Sequence, residues 1–107
     1  MKKIVIPLII IFLFFTNAVM AETYWIDVRS EEEYKADHIS GDTRITYTEI
    51  VPRVTALIPD KNADIVLYCR SGRRAGLAKE ALEAMGYLHV VNGGSIDDVR
   101  AARKTEK

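Results

Sequence analysis

The sequence predicts an α/β domain built on a parallel sheet, and three observations carry that prediction. Strand-like apolar runs alternate with helix-like segments through residues 24–104. The run Ile65-Val66-Leu67-Tyr68 is apolar without alternation, the pattern of a strand covered on both faces. Helix-start signatures, Ser30 with Glu33 and Ser95 with Asp98, each follow a strand-like run, and Gly86 stands where a helix should stop. Such alternation places parallel strands side by side with helices connecting them.

Taken in order, the elements are as follows. Tyr24-Trp25-Ile26-Asp27-Val28 reads as a first strand. A short helix begins at Ser30, capped by Glu33, and His38-Ile39-Ser40-Gly41 closes that unit. Residues 43–45 form a short strand. A second helix lies within residues 46–58. Thr46 with Glu49 offers it a cap, but Pro52 would then sit in its interior, so its start is open between Thr46 and Val51. Pro59-Asp60-Lys61-Asn62 is a loop, and residues 65–68 are the central strand. The helix over residues 75–85 presents Ala78, Ala81, Leu82 and Met85 as a core stripe and ends at Gly86. Val90-Val91 is a short strand, Gly93-Gly94 a turn, and Ser95 with Asp98 caps a last helix. That helix ends among Arg100, Arg103 and Lys104, cations that suit a helix C-terminus.

The first 21 residues stand apart. Lys2 and Lys3 precede an apolar run, residues 4–15, and Val19-Met20-Ala21 offers a signal-peptidase site. The expectation is a cleaved signal peptide over residues 1–21, the rival being an uncleaved membrane anchor. Removing the first 21 of 107 residues leaves 86, enough for one small domain, residues 22–107. The removed segment takes two lysines and no acid from a balance of 15 basic and 15 acidic residues, leaving net charge −2. That excludes the strongly basic footprint of a nucleic-acid binder. His38 and His89 with one cysteine do not make a metal-ligand cluster, so neither a metal nor a cofactor is expected.

That single cysteine, Cys69, carries the chemistry. It opens Cys69-Arg70-Ser71-Gly72-Arg73-Arg74, a short loop between the central strand and a helix N-terminus. Helix-start N–H groups favour an anion and favour thiolate over thiol. Arg70 and Arg73 are expected to face outward toward an anionic substrate, and Arg74 to turn inward against the loop. Ser71 donates to sulfur or caps the turn, and Gly72 supplies backbone conformation. Asp27 and Arg29 are expected as structural support, the buried carboxylate satisfying loop N–H groups or an arginine. Glu33 is a helix cap, and His38 a hydrogen-bonded structural residue.

These residues together resemble a rhodanese domain, over nearly the whole chain after residue 21. Asp27-Val28-Arg29, Glu33-Tyr34 and His38-Ile39-Ser40-Gly41 match that family's early signature. Residues 69–74 match its six-residue active-site loop. Met85-Gly86-Tyr87, Val90 and Gly93-Gly94 match its late signature. The chain is most similar to the single-domain periplasmic members. The resemblance implies a five-stranded parallel sheet flanked by helices on both faces. It implies transfer of sulfane sulfur from thiosulfate to cyanide or a thiol through a persulfide on Cys69, with Arg70, Ser71, Gly72, Arg73 and Arg74 binding the substrate. A periplasmic monomer is expected, acting on small molecules and not held on a membrane after cleavage. Three positions depart from the family pattern. Asp37 replaces a glycine, Asp42-Thr43-Arg44-Ile45 replaces Ala-x-Asn-Ile and alters the small strand, and Asp98 replaces a tryptophan that packs the last helix.

Other functions fit parts of the pattern. A persulfide carrier or partner-binding module would share the loop. A redox sensor would use an exposed, low-pKa thiol, with no second cysteine to resolve it. A cysteine phosphatase or arsenate reductase places five residues between Cys and Arg. Here four separate Cys69 from Arg74, and the loop holds no acid to protonate an alkoxide.

Overall fold

The structure is a computed structural model that describes residues 22–104; the expected signal peptide lies outside the described residues. Four strands, β1 (Thr23–Asp27), β2 (Thr43–Arg44), β3 (Asp64–Cys69) and β4 (His89–Ser95), form one parallel sheet in the order β2-β1-β3-β4. The connections hold α1 (Glu31–Ala36), a 3₁₀ turn (Tyr47–Glu49) running into α2 (Ile50–Leu57), and α3 (Arg73–Ala84); α4 (Ile96–Lys104) follows β4. The described residues give four strands, not the five that the resemblance implies. Every strand-like run in residues 22–104 is one of these four, and the intervening segments are helices or short turns.

The period-two alternation of the strands divides the interior into two layers. Ile26, Val28, Ile65, Leu67 and Cys69 face one side, where Ile50 and Val54 of α2 and Ala75, Ala78 and Leu82 of α3 cover them. Trp25 and Tyr68 face the other, beneath Ile96 and Val99 of α4 and Ile39. Helices on both faces are therefore present, and the two inward sets explain why β3 reads as a continuous apolar run. Each Ile or Leu so buried stabilises by about 1.5–3 kcal/mol.

Several local expectations shift. The second helix starts late: Pro52 is the third residue of α2, where its missing N–H has no intrahelical acceptor to lose. The Thr46–Glu49 side-chain cap does not form: the Glu49 N–H donates to the Thr46 carbonyl at 2.8 Å, and the Thr46 hydroxyl accepts from the Arg44 guanidinium at 2.8 Å. α3 starts at Arg73, two residues early, and its buried stripe is Ala75, Ala78 and Leu82, with Met85 47% exposed. Gly86 (φ 96°) turns the chain in the left-handed region, so Tyr87 takes the core position instead. The Tyr87 N–H reaches the Leu82 carbonyl and the Gly86 N–H that of Glu83, a Schellman closure. Gly93-Gly94 is part of β4 rather than a turn. Opposite it, Leu67 pairs with Asn92 but Cys69 with Ser95, so β4 carries one extra residue as a bulge beside Cys69.

The three departures from the family pattern all serve α4. Asp37 accepts two bonds of 2.7 Å from Arg100, and Asp42 accepts one of 2.7 Å from Arg103, whose guanidinium also lies over the Trp25 ring. Asp98 and Ser95 bond reciprocally at 3.0 Å, capping the helix. The small strand β2 forms despite its altered sequence, paired with Ile26 and Asp27.

Candidate active site

β3 ends at Cys69, whose side chain faces the α3 layer and is fully buried. The chain then passes Arg70 and Ser71, both exposed, and enters α3 through Gly72 in the left-handed region (φ 92°). Only glycine adopts that conformation without strain. A Cβ there would stand 3.3 Å from the Gly94 Cα, so the loop lies tight against the β4 bulge.

The start of α3 has no side-chain cap. The Cys69 sulfur takes that place: the Gly72 N–H donates to Sγ at 2.9 Å, and the N–H groups of Ala75, Ser71 and Arg74 are also directed at it. Burial pushes the thiol up, but these four donors outweigh it, and the pKa is lowered from its ordinary value. The local geometry thus turns a helix-capping requirement into thiolate stabilisation.

The charges at this helix start break a general rule. Acids favour a helix N-terminus, and α1 and α4 obey, with Glu31, Glu32 and Glu33 and with Asp97 and Asp98 in their first turns. α3 instead begins with Arg73 and Arg74. Such a violation is expected where an anion sits. Arg73 and Arg70 are exposed, and among the described residues neither guanidinium has a protein partner. Arg74 turns inward as expected. It donates to Glu33 at 2.6 and 2.9 Å, a two-point ion pair with both side chains about a quarter exposed. Glu33 also accepts from the Ser30 N–H at 3.1 Å and accepts the Ser30 hydroxyl at 3.0 Å. The Arg74 bond first, helped by Ser30 and opposed by partial burial, holds the Glu33 carboxyl down at about 2. Arg74 is raised in turn, by Glu33 foremost and also by the nearby Cys69.

Asp27 and Arg29 lie at the end of β1 beside this region, both buried. The Asp27 carboxylate accepts from the Arg29 backbone N–H at 2.9 Å and from its guanidinium at 2.8–3.1 Å, while Arg29 also donates to the Asp37 carbonyl. They satisfy one another and the turn into α1. Ser71 contributes its backbone N–H; its side chain makes neither of the two bonds expected of it. His38 stacks on Tyr34 and contacts the Tyr34 carbonyl through Nδ1 at 2.9 Å, a structural role. A separate cleft of about 400 Å³, lined by Tyr24, Trp25, Asp42, Leu57 and Arg103 among others, includes no residue of the Cys69 loop.

Two site contacts have no signature in the sequence. The Glu33 cap is legible, but its second task as partner of Arg74 spans 41 positions. Asn92 is the other: its Nδ2 donates to the Gly72 carbonyl at 2.8 Å and its Oδ1 accepts the Gly94 N–H at 2.9 Å. Only the matching of its donor and acceptor to an adjacent loop could have marked it.

Known proteins of similar sequence and shape fit this geometry. Thiosulfate sulfurtransferase PspE of Escherichia coli strain K12 is 42% identical over 87 residues, covering 81% of this chain and 84% of that protein. The putative sulfur carrier protein YrkF of Bacillus subtilis strain 168 is 36% identical over 67 residues, 63% of this chain and 35% of its own length. Among solved structures, a rhodanese with anions from E. coli superposes with a TM-score of 0.68 at 43% identity, covering 72% of this chain and 91% of the other. A sequence model of the rhodanese-like domain matches residues 15–99, and with a buried, N–H-cradled Cys69 between β3 and α3 the chain belongs to the rhodanese-like family.

Proposed function

We propose that the chain is a thiosulfate sulfurtransferase in which Cys69 carries the sulfur. The observation that carries this reading is the Cys69 sulfur at the uncapped start of α3, with the Gly72 N–H at 2.9 Å and three further N–H groups directed at it. The likeness to the E. coli thiosulfate sulfurtransferase over most of both chains supports it. The Cys69 thiolate attacks the outer sulfur of thiosulfate. A Cys69 S–S bond forms as the donor's S–S bond breaks, and its electron pair leaves on sulfite. Sulfite departs as a stable anion, so no proton donor is required. The persulfide then gives its outer sulfur to cyanide, forming thiocyanate, or to a thiol acceptor, and Cys69 returns as thiolate.

Arg70 and Arg73, exposed beside the loop, meet the incoming anion, and the backbone N–H groups of Ser71 and Gly72 with Arg74 hold the sulfur end. Because Cys69 has no exposed surface, the donor enters through the ring of loop N–H groups that Arg70, Ser71 and Arg73 border. Residues 1–21 act as a cleaved signal peptide and the domain from residue 22 works in the periplasm as a monomer. A persulfide carrier is the second reading, favoured by the likeness to the Bacillus sulfur carrier.

Intact-mass measurement after thiosulfate tests the chemistry. One added sulfur is expected on the parent and none on Cys69→Ser, which keeps its fold. Sulfur uptake by Cys69→Ser overturns the assignment. Continuous thiocyanate production separates an enzyme from a carrier, and a mature N-terminus at Glu22 in the same spectrum supports cleavage.

A further inference from the structure

We propose that Asn92 is a positioning residue for the reaction, clipping the Gly72 carbonyl to the bulge of β4 so that Gly72 keeps the left-handed dihedral angles that set its N–H on the sulfur. The inference rests on the reading of Cys69 as the sulfur carrier. Asn92 lies in β4, one strand over from Cys69, and touches neither the sulfur nor the expected path of the anion.

The geometry runs through one carboxamide. Its donor end reaches the Gly72 carbonyl at 2.8 Å, and its acceptor end takes the Gly94 N–H at 2.9 Å. Bonds at both ends fix the amide plane. The Gly72 carbonyl also accepts the Gly76 N–H at 2.9 Å, the first turn of α3. Gly72 is the one loop residue in the left-handed region, and it is a glycine, so its dihedral angles have alternatives close in energy. Its N–H is the donor placed 2.9 Å from the sulfur. If the Gly72 dihedral angles changed, the peptide between Ser71 and Gly72 would turn, carrying that N–H away and bringing the Ser71 carbonyl toward the thiolate. The helix bond restrains the carbonyl from one side, and Asn92 restrains it from the other.

The surroundings fit this role. A Cβ on Gly72 would lie 3.6 Å from Oδ1 of Asn92, and one on Gly76 would lie 3.4 Å from its Nδ2. The carboxamide therefore occupies the space between the loop, the first turns of α3 and the bulge. The bulge, where three steps of β4 match two of β3, sets that space. Asn92 brings no charge to the site. Among the ionisable side chains, Arg74 interacts with Cys69, with Glu33 behind it. A change on removing Asn92 thus reports geometry rather than field.

The test compares Asn92→Ala with Asn92→Ser in the domain from residue 22. Serine can still accept the Gly94 N–H two residues on, as side-chain turns do, but is too short for the Gly72 carbonyl. It isolates the loop clip and serves if the alanine variant does not fold. The readouts are the Cys69 pKa from pH-dependent alkylation, kcat and KM for thiosulfate to cyanide transfer, and thermal stability. Both variants are expected to raise the thiol pKa and lower kcat about three- to tenfold, the rate equivalent of one hydrogen bond, with KM less affected. His89→Ala, on the exposed start of the same strand, is expected to match the parent. The proposal is overturned if Asn92→Ser keeps the parent's thiol pKa and kcat, or if Asn92→Ala loses only thermal stability. The alkylation pKa needs no sulfur donor, so failure of this inference stays distinct from failure of the thiosulfate reading.

Discussion

Replacing Glu33 with glutamine tests how the structure uses Arg74. A glutamine can still cap α1, since Ser-x-x-Gln serves as well as Ser-x-x-Glu, so the substitution removes the charge and keeps the cap. What it loses is the two-point pair at 2.6 and 2.9 Å. In the folded chain Glu33 is held at about 2 against an ordinary 4.5, chiefly by the Arg74 bond. At 1.36 kcal/mol per unit that shift bounds the contribution at about 3 kcal/mol. Both side chains are about a quarter exposed, and solvent screening brings the expectation to about 1–2 kcal/mol. The sign follows from a depressed carboxyl. The stabilisation is fully present above about pH 4.5 and is lost as pH falls through about 2. Urea unfolding of the parent, Glu33→Gln, Arg74→Ala and the double variant gives the coupling directly. At pH 7 it should reach about 1–2 kcal/mol, and it should shrink toward zero near pH 2. The parent should also lose stability more steeply than Glu33→Gln between pH 4.5 and 2. Arg74→Ala should raise the Cys69 pKa and lower kcat, since it frees the loop's closing residue. A coupling below about 0.3 kcal/mol, or equal pH slopes for parent and Glu33→Gln, would refute the reasoning.

Arg70 and Arg73, without a partner among the described residues, should behave differently: Arg70→Ala or Arg73→Ala should raise KM for thiosulfate with kcat little changed, and a fall in kcat at constant KM would reject an anion-positioning role. Gly72→Ala forces a side chain into the left-handed region 3.3 Å from Gly94; calorimetry should show a loss of about 1–2 kcal/mol, with the thiol pKa raised, and parent-like values on both counts would mean the loop relaxes freely. Thiosulfate should far outrun an aryl phosphate in parallel assays, because four residues between Cys69 and Arg74 make a small ring without an acid; faster ester hydrolysis would overturn that selectivity.

The sequence by itself determined the class of fold and singled out Cys69 as the centre of the proposed chemistry. Local signals are short-ranged, and they were legible for that reason. Ser30 with Glu33 and Ser95 with Asp98 cap helices three residues away, and both caps form. The apolar run before Cys69 is the central strand, and Gly86 closes α3. Tertiary structure decided what depends on distant partners. The Gly93-Gly94 pair reads locally as a turn, but pairing with β3 draws it into β4 as a bulge. Met85 reads as core, but the left-handed Gly86 hands that place to Tyr87. Asp37 and Asp42 read as departures from a family pattern, yet each meets an arginine of α4 some sixty positions on. The inward turn of Arg74 was legible in its place after the loop, whereas its partner Glu33 and the clip from Asn92 were not. A hydrogen bond needs its donor and acceptor within about 3 Å, and for residues so far apart in the chain only the packing of sheet and helices brings them there.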